Sequence, residues 1–167
     1  MKRILLLLTA LALSAVVFAP LMAQESPFVG SWKFNAEKSK FTGVPMPKSL
    51  DRTVEADGKG AKYTYKGTNG EGKPIDYTFS TMLDGKASPV SGTGAPGGAD
   101  SISIKRVNAS KTTGAFYKGG KQTGTSTAEV SKDGKVTTVT GSGKTADGKE
   151  YHTTSVYDKQ KQTRRGR

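Results

Sequence analysis

The side chains able to do chemistry in this sequence are few, and their types favour holding a ligand over transforming one. Cysteine is absent, His152 is the single histidine, and no serine stands in a Gly-x-Ser-x-Gly elbow. That removes thiolate nucleophiles, cysteine metal sites and disulfides together. One histidine without neighbouring carboxylates makes neither a metal centre nor an acid–base pair, and strand parity turns it outward. Arginines and tyrosines within alternating apolar runs remain. Arg52 shares parity with Leu50, Val54 and Ala56, and Arg106 with Ile102 and Ile104. A guanidinium inside a domain offers a planar fork of donors to a carboxylate or phosphate. A slip of one residue would send either side chain to solvent, so both directions stay open. Tyr63, Tyr65, Tyr77, Phe79 and Tyr157 supply apolar rings and, on the tyrosines, hydroxyls. They suit either the wall of a cavity for an amphipathic molecule or an ordinary aromatic core.

Such residues need strands to position them, and the turn chemistry predicts many. Acid–Gly–Lys recurs as Asp57-Gly58-Lys59, Glu71-Gly72-Lys73, Asp84-Gly85-Lys86, Asp133-Gly134-Lys135 and Asp147-Gly148-Lys149. Asp-Gly favours tight hairpins because both residues accept the positive φ of a type I′ turn. Gly94 to Gly98, Asn108 to Lys111 and Gly119-Gly120 continue the rhythm. The spacing predicts an antiparallel meander of about ten strands. They are placed at 28–35, 48–56, 60–67, 74–82, 86–91, 100–107, 112–118, 121–131, 135–143 and 149–158. The stretch 36–47 is expected to be irregular, with room for a short helical turn. Phe28, Gly30, Trp32 and Phe34 share one face, as do Ala61, Tyr63 and Tyr65, then Ile75, Tyr77 and Phe79, while lysines and other polar residues mark the opposite faces. From Thr123 onward the strands are mostly Thr, Ser and Gly, with little bulk for a flat sheet to bury. A closed barrel accommodates them, because closure satisfies every edge and small inward residues line a cavity; a sandwich filled by the first half's aromatics is the alternative.

Residues 1–23 have the makeup of a secretory signal peptide: Lys2 and Arg3, an apolar run from Ile4 to Phe18, and Ala23 at a cleavage point. Export to the periplasm or beyond is therefore expected. The formal charge is +12, and loss of Lys2 and Arg3 would leave +10 on a single domain of 24–158, followed by a basic tail at 159–167 expected to be disordered. Gly92-Thr93-Gly94-Ala95-Pro96-Gly97 fits Gly-x-Gly-x-x-Gly but leads into a strand rather than a helix, so it is expected to be a loop.

The segment Phe28-Val29-Gly30-Ser31-Trp32-Lys33-Phe34-Asn35 resembles the opening of the calycins, above all the intracellular fatty-acid-binding proteins. The last strand, ending Ser155-Val156-Tyr157-Asp158-Lys159, resembles that family's final Arg-x-Tyr-acid-Lys. The resemblance implies a single up-and-down barrel of eight to ten strands, with Trp32 closing its base and Gly30 allowing the backbone to bend beside it. It also makes Tyr157 the counterpart of a tyrosine that bonds a ligand carboxylate. Ser155 stands where the family has arginine, and 36–47 is too short for the family's two-helix lid. The chain also resembles small exported bacterial lipocalin-like proteins, which share Lys38-Ser39-Lys40-Phe41 and the repeated Asp-Gly-Lys turns.

Together these features predict an exported, non-catalytic protein that binds a small lipophilic or amphipathic ligand inside a monomeric barrel, without cofactor or metal. Arg52, Tyr63, Tyr65, Tyr77, Phe79, Arg106 and Tyr157 are the candidate ligand contacts. The alternative is a structural or interaction barrel whose basic outer face meets an anionic membrane surface, an envelope polymer or a protein partner. Lys62-Tyr63-Thr64-Tyr65-Lys66 interleaves cations and aromatics, but export argues against a nucleic-acid partner.

Overall fold

The computed structural model describes residues 26–145 and 147–161; the expected leader at 1–23 and the end of the basic tail, 162–167, lie outside the described residues. Eleven strands follow one another: β1 Gly30–Thr42, β2 Ser49–Asp57, β3 Gly60–Thr68, β4 Pro74–Thr81, β5 Asp84–Pro89, β6 Ser91–Thr93, β7 Ser101–Arg106, β8 Lys111–Lys118, β9 Lys121–Val130, β10 Val136–Lys144 and β11 Glu150–Lys159. They form one antiparallel sheet in the order β5-β7-β8-β9-β10-β11-β1-β2-β3-β4-β6. Its two edges, β5 and β6, are consecutive in the chain and separated only by Val90. One continuous segment therefore pairs first with β7 and then with β4, which leaves a nearly closed barrel. This is also why the strand expected at 86–91 is two strands: the segment changes partners, and Val90 donates its N–H to Asp100 O instead (2.9 Å).

The larger departure is in β1. The sequence predicts that the strand ends near Asn35, yet pairing with β11 resumes at Lys40 opposite Thr154 and runs to Thr42. Residues 36–39 stand opposite Ser155 alone, a bulge of three extra residues. Ser39 pins it, donating Oγ–H to Asn35 O (2.6 Å) and accepting the N–H of Val156 (2.9 Å). An odd insertion reverses strand parity. Phe41, which unbroken alternation with Phe34 would send outward, therefore turns into the barrel and meets Phe34 edge-on at 6.1 Å. The Lys38-Ser39-Lys40-Phe41 stretch thus has a mechanical role.

The turns also differ from expectation. In all five acid–Gly–Lys units only the glycine takes positive φ. Asp57 and Gly60 pair across the loop Gly58-Lys59, with Gly58 (φ 57°) at the first central position, which type II′ turns reserve for glycine. Both central residues are positive at Gly119-Gly120, the β8–β9 hairpin, and at Gly97-Gly98, where the Ala99 N–H bonds Pro96 O at 3.1 Å. The acid acts through its side chain instead. The Asp84 carboxylate accepts the N–H of Lys86 at 3.0 Å, a bond that holds its carboxyl below the usual range.

The core is concentrated where the early strands face one another. Trp32, Val54, Ala61, Tyr63, Ile75, Tyr77, Phe79, Ile102 and Tyr157 are buried, with Tyr63 stacked on Phe79 at 5.1 Å and Tyr65 on Tyr77 at 4.7 Å. The Thr/Gly strands are roofed from within by Tyr151. Its ring lies across Gly143 and Gly124, so close that a Cβ on Gly124 would stand 2.6 Å from the Tyr151 hydroxyl. One aromatic side chain thus covers two neighbouring glycine strands.

Candidate ligand-binding site

Strands β1 to β4 place their bulky inward residues in layers. At the base Trp32 is 1% exposed and donates Nε1–H to Phe28 O at 2.9 Å. Gly30 (φ 133°) leaves room beside it for Lys159, whose Nζ lies 5.1 Å from the indole centroid. On β2 the inward positions run from Leu50 through Arg52 to Val54 toward the base. Arg52 is 2% exposed, and its Cζ lies 5.3 Å from the Trp32 centroid and 4.9 Å from that of Tyr157.

Above this layer is a cavity of about 290 Å³, at the lower edge of the ~300–1,000 Å³ common for small-molecule sites. Tyr65, Tyr77, Phe79 and Tyr157 line it, together with Leu50, Ile75, Ile102 and Phe116. Tyr63 is buried but does not line the cavity. Arg52 lies one step deeper, against the ring of Tyr157. Arg106 shares parity with Ile102 and Ile104 but is exposed at the end of β7. Ile104 is the last apolar layer of that strand, and the next inward position is already at the barrel end. There the Arg106 backbone N–H closes the β4–β5 corner by bonding Leu83 O at 3.0 Å. His152 is exposed on the outer surface.

The electrostatics of the deep layer are lopsided. An arginine does not shed its proton inside a protein. Arg52 Nε and Nη2 are nevertheless buried without any hydrogen-bond partner, as is Thr137 Oγ1 on the strand beside Tyr157. The phenols around the guanidinium are not its counter-charge. Burial pushes the Tyr63 hydroxyl up to about 12 and raises Tyr77 and Tyr157 well above their ordinary value, with proximity to Tyr65 adding to the rise and Arg52 opposing it. The phenols are therefore neutral at physiological pH. The layer holds one unneutralised cation among hydroxyls: rich in donors, poor in acceptors, and shaped for an anionic group.

Several lining residues escape parity arguments. Phe41 and Val44 fall in the stretch expected to be irregular, and the bulge that brings Phe41 inward has no apolar signature. Phe116 lies in a strand whose alternation is blurred by small residues on both faces. Thr137, buried below the cavity rather than lining it, is polar, and its cross-strand partner Tyr157 marks it as inward.

Fold and site together define a single, nearly closed antiparallel barrel with an apolar interior cavity above a buried cation; the barrel is the architecture that the calycin resemblance implies. No family model and no curated protein matches the chain. Among solved structures, a zebrafish ileal bile acid-binding protein complexed with cholic acid is similar at 16% identity and a TM-score of 0.48, over 81% of this chain and 100% of that one. Lobster apocrustacyanin A1 follows at 11% and 0.43, over 82% and 63%. A redesigned β barrel bound to DFHBI matches at 13% and 0.38, over 80% and 95%.

Proposed function

We propose that this chain is a non-catalytic, exported binding protein that holds a small amphipathic acid in its barrel. The apolar tail lies against Tyr65, Tyr77 and Phe79, and the acidic head is held by Tyr157 with Arg52 behind it. The observation that carries this reading is Arg52. An ion taken out of water without a partner costs several kcal/mol, so a barrel that keeps one at its centre gains most from a ligand that neutralises it. Tyr157 stands between the guanidinium and the cavity, and a cation over its ring face strengthens the phenol as a donor. The signal-like segment at 1–23 supports export.

The test is a titration of delipidated protein with dodecanoate, followed by calorimetry and by Trp32 fluorescence, since the indole lies 5.3 Å from Arg52. Saturation near one to one is expected, with a spectral change. Arg52→Met should weaken dodecanoate at least tenfold and, without ligand, stabilise the protein by about 1–4 kcal/mol, because an unpaired buried charge is replaced by a packed apolar chain. Equal binding by Arg52→Met, or a loss of ligand-free stability, would overturn the assignment. Absence of any response to the acid, together with salt-sensitive binding to anionic vesicles, would instead favour the basic outer surface as the functional one.

A further inference from the structure

The two sides of the cavity are chemically unlike. Leu50, Tyr65, Ile75, Phe79, Ile102 and Phe116 give one side rings and aliphatic chains. The other side, from β9 to β11, carries Val139, Tyr151 and Tyr157 but also Ser126, Gly141 and Thr153, which lie in one cross-strand row: Ser126 opposite Gly141, and Gly141 opposite Thr153. The absence of a side chain at Gly141 is what makes this row a polar slot. A Cβ there would stand 2.8 Å from Thr153 Oγ1, which leans into the space, so any larger residue would crowd that hydroxyl; Ser126 Oγ lies on the other side of its strand, toward Gly114. Ser155, the next inward position on β11, also lines the cavity and lies beside Tyr157.

A purely hydrocarbon ligand filling the cavity would strip water from the Ser126 and Thr153 hydroxyls and return nothing, at a cost of about 1–3 kcal/mol for each group left unpaired. From these observations we infer that the cavity selects an acid with a hydroxyl or carbonyl group on one flank, apolar on the other. The inference rests on the proposed acid-binding function. The position of the polar group follows from the strand: Thr153 is four residues before Tyr157, about 14 Å along β11 at 3.4 Å per residue. That is the length of an extended twelve-carbon chain. The ligand class is therefore a medium-chain acid oxidised at or near its far end, or a compact ring acid with equivalent spacing.

The test compares 12-hydroxydodecanoate with dodecanoate by calorimetry on the full chain. The hydroxy acid should bind about tenfold more tightly, the value of one satisfied hydroxyl pair. Ser126→Ala/Thr153→Val should reverse the order, weakening the hydroxy acid and strengthening dodecanoate, and Ser126→Ala alone should move the ratio part of the way. Arg52→Met should weaken both acids. Equal affinities in the wild type, or a ratio unmoved by the Ser126 and Thr153 changes, would overturn the polar-slot inference while leaving the acid site standing. Failure of both acids to bind would overturn both.

Discussion

The two halves of the barrel solve opposite problems. Strands β1 to β4 and β7 bring Trp32, Tyr63, Tyr77, Phe79 and Ile102 inward and bury nearly all of each. Strands β9 and β10 bring Gly124, Ser126, Gly141 and Gly143 inward and bury little that is apolar, yet the β9–β10 and β10–β11 ladders run their whole length without a register shift. The difference shows how a chain with only 34% hydrophobic residues, leader included, can build a barrel. One half supplies the apolar area that drives folding. The other supplies backbone hydrogen bonds, closure and empty volume. The cavity exists because the second half is small, and it is selective because the second half is hydroxylated.

Breaking the first half should be costly in two ways. The larger effect is expected from hydroxide. The phenols of Tyr63, Tyr77 and Tyr157 are raised in the folded protein, chiefly by burial, so folding favours their neutral forms. Their stabilising contribution is complete below the ordinary tyrosine value of 10.0 and is lost as pH rises from there through the folded values. Tyr63 alone, at about 12, accounts for roughly 2–3 kcal/mol, and the other two act in the same direction. Urea midpoints should fall steeply above pH ~10, and phenolate absorbance should appear in step with unfolding. Smooth titration of every tyrosine near pH ~10, with the fold intact, would show that the rings are wet. Trp32→Ala comes next, at about 3–5 kcal/mol in urea denaturation, because the indole is 1% exposed and packs between Arg52 and Lys159. A cost below about 1 kcal/mol would remove Trp32 from the base of the barrel.

Much of this architecture is legible in the sequence because it rests on period two and on glycine. Alternation at Tyr63-Thr64-Tyr65 and Ile75-Asp76-Tyr77-Thr78-Phe79 locates β3 and β4 and the sides they present, and parity correctly carries Arg52 inward beside Val54. The same rule does not bury Arg106, since parity states a side of the strand and not whether the barrel still has an interior at that height. It fails beyond Asn35, where a bulge held by the hydroxyl of Ser39 reverses the phase; such a bond depends on Val156, remote in sequence. The splitting of the fifth strand at Val90 is equally invisible, because exchanging β7 for β4 is a choice of partner and leaves no local mark. The site follows the same division. Its aromatic side can be read from alternation, whereas its polar side is built from serines, threonines and glycines that carry no periodic signal.

The second half should respond to addition instead of removal. A methyl group is the smallest side chain, and in an ordinary strand Gly→Ala is mildly favourable. Gly124→Ala should have the reverse sign here. Its Cβ would lie 2.6 Å from the Tyr151 hydroxyl and 2.8 Å from the Ser142 carbonyl oxygen, and while the phenol can swing away, the backbone oxygen cannot without disturbing the β9–β10 ladder. A cost of about 1–3 kcal/mol is expected, as for other overpacked interiors. Thr127→Val, one step outside the barrel on the same strand, adds no clash and should stay within ~0.5 kcal/mol. Urea midpoints of the two variants measured side by side make the comparison. Equal, small effects would mean that Tyr151 does not rest on the glycine strands, and the cavity would then need another explanation for its shape.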